Sequence, residues 1–155
     1  MKRMLNLLFL ALIFQTAYAQ AGMSSGLKAL RNSLSENAIT SVVVLRMPDE
    51  VTTRVAVTPQ VLREAPPPTR KYKVEMSHSR STLIMQWMTQ TRLTRTKRCP
   101  DLRWGLLFMD RDGKEVASIF SDRFGQVGNV DGQNVEFSDT RLIDTIHRFV
   151  GADTR

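Results

Sequence analysis

Two spacings of hydrophobic residues alternate along this chain, and the switches between them outline its elements. Leu27, Leu30 and Leu34 recur at helical spacing in "SSGLKALRNSLSEN", with Ser24 or Ser25 placed as a cap, and predict a first helix. "AITSVVVLRM" is rich in β-branched residues and reads as a strand. "VTTRVAV" places Val51, Thr53, Val55 and Val57 on one side, which predicts a second strand in a hairpin across Pro48–Glu50. "TPQVLREA" suits a short helix, with Thr58 as cap and Pro59 in the first turn.

"APPPT" cannot continue that helix, and its prolines favour an extended surface connection. "RKYKVEM" alternates Tyr72, Val74 and Met76 against charged neighbours and predicts a strand. "SHSRSTLIMQWMTQTRL" predicts the second long helix, with Leu83, Ile84, Trp87, Met88 and Thr91 as its stripe and Ser79 or Ser81 as its cap. The helix is expected to continue into "TRLTRTKR", where positive charge complements the helix dipole, and to stop at Pro100.

"LRWGLLFM" and "KEVASIF" face each other across "DRDG", and "VDGQ" has the chemistry of a tight hairpin. "SDTRLIDTIHRFV" predicts a closing helix capped by Ser138 or Asp139, with Leu142, Ile143, Ile146, Phe149 and Val150 as its apolar face and Gly151 at its end. The order is α-β-β-α-β-α-β-β-β-α. Short connections among the late strands require antiparallel pairing. The expected class is α+β, a single antiparallel sheet of about five strands with three main helices packed on it.

The first residues change the picture of where this domain begins. "MKR", the apolar "MLNLLFLALIF" and the small residues Ala17 and Ala19 form the three parts of a secretory signal, with a predicted cut after Ala19. The apolar run is about half of the ~20 residues that span a bilayer. Residues 1–19 are therefore read as a leader, and 20–155 as one domain in the periplasm or outside the cell. The single cysteine, Cys99, has no internal partner and is expected to be buried.

The formal charge is +7, and loss of Lys2 and Arg3 with the leader brings it to +5. Between Arg63 and Arg103 ten basic residues face only Glu64, Glu75 and Asp101, so an anionic partner is expected. Arg92, Arg95 and Arg98 step by three and, with Lys97, are the predicted binding patch at the end of the second long helix. The predicted partner is an anionic envelope component, a membrane surface or an acidic protein; nucleic acid is not expected.

The remaining chemistry is sparse, and no cofactor or catalytic residue is assigned. Asp110, Asp112, Asp122 and Asp131 are the carboxylates from which an envelope-acting hydrolase would have to be built. "DRDG" lacks the ligand spacing of a calcium loop, and its flanks are strand-like, so it reads as a turn. His78, Met85 and Met88 would serve a soft metal, but methionines at helical spacing also fill cores. His147 reads as a polar group at the solvent edge of the closing helix. Phe120, Phe124 and Phe137 are either core or partner anchors. The leading expectation is a small exported binding or accessory domain. Its alternatives are the hydrolase and a Met/His metal handler.

Overall fold

Residues 25–151 are described by a computed structural model, and the predicted leader with its cleavage position lies outside the described residues. The elements run α1 (Ser25–Ser35), β1 (Ile39–Arg46), α2 (Pro59–Glu64), β2 (Arg70–Glu75), α3 (His78–Gln90), β3 (Leu93–Arg95), β4 (Trp104–Asp110), β5 (Glu115–Ser121), β6 (Val127–Val130), β7 (Gln133–Phe137) and α4 (Arg141–Gly151). All strands join one antiparallel sheet in the order β2-β1-β4-β5-β6-β7-β3. The α+β class holds. Among the described residues the expected five strands are seven, and the three main helices are four.

Successive side chains of a strand point to opposite faces, and β1 shows this in two neighbours. Val44 joins the main core, where α1, α3 and α4 pack Leu30, Ile84, Trp87, Leu142 and Phe149 against Leu106, Phe108 and Ile119. Leu45 points the other way, into a smaller core with Met47, Val57, Leu62, Leu102 and Phe120. α2 packs on that second face over β1 and β4. Thr58 caps α2 as predicted, its side chain accepting the Val61 amide.

Two predicted elements differ. Residues 51–57 form no strand, because β1 is already flanked by β2 and β4 and offers no free edge for a hairpin. Their valines do not share a face either: Val57 is fully buried and Val55 is 72% exposed. The second difference is where α3 ends. It begins at a cap formed by Ser77, not Ser79 or Ser81, and stops at Gln90, where the Thr91 amide still bonds to Trp87 O. "LTR" then pairs with β7 as the edge strand β3. The ladder extends beyond it at both ends, through Ser138 N–H to Arg92 O and Thr96 N–H to Asn134 O. The β-branched residues Thr91, Thr94 and Thr96 favour this extended form, and the open edge of β7 fixes it.

The two hairpin turns match their predicted chemistry. In "DRDG" one oxygen of Asp110 accepts the amides of Asp112 and Lys114, both at 2.9 Å, and Gly113 takes φ 74°. In the β6–β7 turn Asp131 and Gly132 have φ 47° and 83°, the two positive values that a two-residue hairpin needs. One irregularity has a use. Phe108 pairs with Ala117 but Met109 pairs with Glu115, so Val116 is an extra residue in β5. Such a bulge shifts the alternation by one and turns Glu115 toward the α2 face.

Candidate functional site: a basic sheet edge and the strap behind it

Arg92, Arg95, Lys97 and Arg98 do not lie on a helix. They lie on and beyond β3, at the outer edge of the sheet. A strand places every second residue on one face, so the predicted step-of-three stripe is lost. Arg92 shares a face with Thr94 and Glu136. Arg95 shares the helix-covered face with Leu93 and Val135. All four basic residues are exposed.

The acids nearby are already occupied. Glu136 accepts the Thr96 hydroxyl at 3.0 Å and lies 3.6 Å from the Arg98 guanidinium. Asp139 binds Arg141 at 2.8 Å and also accepts from Thr91 and Ser138. The Arg141 hydrogen bond holds the Asp139 carboxyl below its usual range despite some burial. Among the described residues the side chains of Arg92, Arg95 and Lys97 have no hydrogen-bond or ion-pair partner. The edge is therefore locally cationic and open to an anionic group.

Behind the edge, residues 96–103 form a strap. Strand β4 lies four places inward from β3, so the connection must pass three strands to reach it. Polar side chains on the sheet hold it there. Asn129, 5% exposed, donates to Asn134 at 2.8 Å, and Asn134 donates to Arg98 O at 3.1 Å. Farther on, Leu102 N–H bonds to Val57 O and Arg103 N–H to Ser121 O. Cys99 sits on this strap and is exposed, which corrects the expectation of burial. A segment crossing the outside of a sheet has solvent on its far side.

The predicted carboxylate set is divided by the hairpins. Asp110, Asp112 and Asp131 lie at the β4–β5 and β6–β7 turns, at one end of the sheet. Asp122 lies in the β5–β6 turn, at the other. Each of three serves its own turn or a neighbouring strand: Asp110 as above, Asp122 with the Gln126 amide, and Asp131 with the Ser118 amide. Met88 is in the main core, and Met76 and Met85 pack against it. His78 is the first, exposed residue of α3. Among the described residues no group of three or more His, Cys, Asp or Glu side chains is arranged to hold a metal. Phe120 and Phe137 are core, whereas Phe124 is 59% exposed under the Arg123 guanidinium. His147 is exposed on α4 and packs T-shaped against Trp104 with 5.3 Å between ring centres.

A half-open pocket of about 110 Å³ lies between α3 and α4, lined by Gln86, Trp87, Gln90, Arg141, Thr145 and Arg148 among others. The indole N–H of Trp87, itself buried, has no acceptor among the described residues.

Known proteins do not narrow the choice: no family model, curated protein or solved structure matches the chain. Among the described residues no helix is long and apolar enough to cross a membrane. Sequence reasoning found the basic residues but not their strand, and it missed the Asn129–Asn134 tether. "GNVDGQN" places the two asparagines either side of a tight turn, which is the signal that they face each other.

Proposed function

We propose that this chain is a small exported binding domain that engages an acidic macromolecular partner along the β3 edge. The observation that carries this reading is the trio Arg92, Arg95 and Lys97, exposed and unpaired beside two carboxylates already engaged elsewhere. Arginine forks suit carboxylate or phosphate groups, and at an open edge Arg92 and Arg95 reach an extended partner from its two faces. The strap supports the reading by holding Lys97 and Arg98 against the sheet.

The test is a titration of the chain lacking residues 1–19 with polyglutamate and, separately, with vesicles containing phosphatidylglycerol. Saturable binding should weaken as salt rises from about 50 to about 300 mM. It should fall at least tenfold when Arg92, Arg95 and Lys97 all become Glu. Polyglutamate binding alone favours an acidic protein, and vesicle binding favours a membrane surface. Binding that the triple variant leaves unchanged refutes the edge as the site.

A further inference from the structure

The opposite edge of the sheet carries a different pattern. β2 is six residues long, pairs only with β1, and keeps an unbroken register from Ser41–Glu75 to Arg46–Arg70. The Met76 amide bonds to Thr40 O, so in this antiparallel ladder the even-numbered residues of β2 turn their backbone groups toward β1. Lys71, Lys73 and Glu75 therefore turn theirs outward. Among the described residues the only bond to these outward groups is from Arg80 to Glu75 O, at 2.9 Å, and a carbonyl can accept a second. Natural sheets usually blunt such an edge with a bulge, a proline, a short strand or lysines; β2 has none of the first three and carries Lys71 and Lys73, whose charge must be offset for the edge to pair.

We infer that β2 pairs with β2 of a second copy of this chain, about a two-fold axis at Lys73. The outward groups of Lys71, Lys73 and Glu75 can bond only to outward groups, so the register must match odd residues with odd. Centring the pair on Lys73 sets Lys71 opposite Glu75 twice, once on each side of the axis. On the other face it sets Tyr72 opposite Val74 twice. Opposite charges and an aromatic with a β-branched residue are both favourable cross-strand pairs. The strand is thus self-complementary, as a two-fold interface requires. The one unfavourable pair is Lys73 with Lys73. In the single chain Lys73 lies 3.6 Å from Glu75, both about two-thirds exposed or more, and this neighbouring carboxylate tempers the repulsion. β3 offers no equivalent, since it is three residues long and carries no acid. This inference does not depend on the β3 reading. It would leave both β3 edges free at the far ends of a fourteen-stranded sheet.

Sedimentation equilibrium between about 1 µM and about 1 mM tests it. The mass should rise toward two chains. Lys73→Pro removes an outward amide and leaves the β1 ladder intact, so it should give a single chain that melts like the parent protein at concentrations where both are single chains. Lys71→Glu should weaken association at least tenfold, and Lys71→Glu with Glu75→Lys should restore it. Lys73→Thr should tighten it by removing the like-charge pair. A single-chain mass throughout the range overturns the inference, and so does a dimer that survives Lys73→Pro or is not restored by the charge swap. The Arg92, Arg95, Lys97 triple variant should associate normally. If it does not, the contact lies at the other edge and the assignment to β2 is wrong.

Discussion

Arg63 grips both carboxylate oxygens of Glu115, with Nη1–Oε2 at 2.5 Å and Nη2–Oε1 at 2.8 Å. The partners are 52 positions apart in sequence. They meet because the bulge at Val116 turns Glu115 toward α2. The same guanidinium lies 5.1 Å from the Phe120 ring centre, and Arg63 O accepts a bond from Lys71 Nζ. This pair fastens α2 to the sheet over the smaller core.

The pair makes stability depend on acid. The Arg63 hydrogen bonds hold the Glu115 carboxyl below its ordinary value, against the opposing effect of burial. A carboxyl lowered in the folded state stabilises above its unfolded value and loses that contribution as pH falls through its folded value. Both side chains are about a third exposed, so solvent screening limits the effect. Glu115→Gln should cost about 1 kcal/mol at pH 7. Urea titrations at several pH values should show that difference constant above about pH 5 and closing below about pH 4.

Gly128 and Gly113 should respond to alanine for opposite reasons. A Cβ on Gly128 would sit 2.0 Å from Phe120 O and 2.6 Å from the Phe137 ring, and backbone cannot move aside cheaply. Gly128→Ala should cost about 3 kcal/mol or more, or prevent folding. Gly113 has nothing within 4 Å, but its φ of 74° strains an L side chain. Gly113→Ala should cost about 1 kcal/mol. Thermal melts of both variants check the ranking.

Asn129→Ala should loosen the strap before it threatens the sheet. It removes the buried donor that orients Asn134 and leaves the Gly132 amide without its acceptor, Asn129 Oδ1 at 2.9 Å. A loss of about 2 kcal/mol is expected. Hydrogen exchange should accelerate at residues 96–100 more than in β4 or β5.

Cys99 should react in the native protein. Its exposure predicts that an aromatic disulfide reagent labels one thiol per chain without denaturant. Slow labelling that speeds up in urea would contradict the placement of the strap.

The elements legible in the sequence were those whose signal is local. "DRDG" and "VDGQ" specify turns through the backbone angles that Asp and Gly tolerate, and both are hairpins here. Leu27, Leu30 and Leu34 specify a buried helical stripe, and they are buried. What sequence could not supply was competition between segments. "VTTRVAV" alternates well enough for a strand, yet β2, which begins 24 positions after β1 ends, takes the place beside it. "TRLTR" continues a helical charge pattern, yet its threonines serve an extended chain once β7 offers an edge. The candidate site was legible in composition and not in geometry. A stride of three means one face on a helix and two faces on a strand, and that choice was made by a partner strand whose paired residues lie 40 to 44 positions away.

The place of β4 in the sheet has a consequence for how the chain emerges during synthesis. β1, β2, α3 and β3 are all complete before Trp104 appears, yet β4 is the strand that joins β1 to the rest. Until then the inner flank of "ITSVVVL" has no neighbour, and this uncharged, β-branched run is the kind that nucleates cross-β aggregates. The nascent polypeptide therefore passes through an interval of some sixty residues, from Arg46 to Trp104, in which its most adhesive segment depends on a chaperone or on speed for protection.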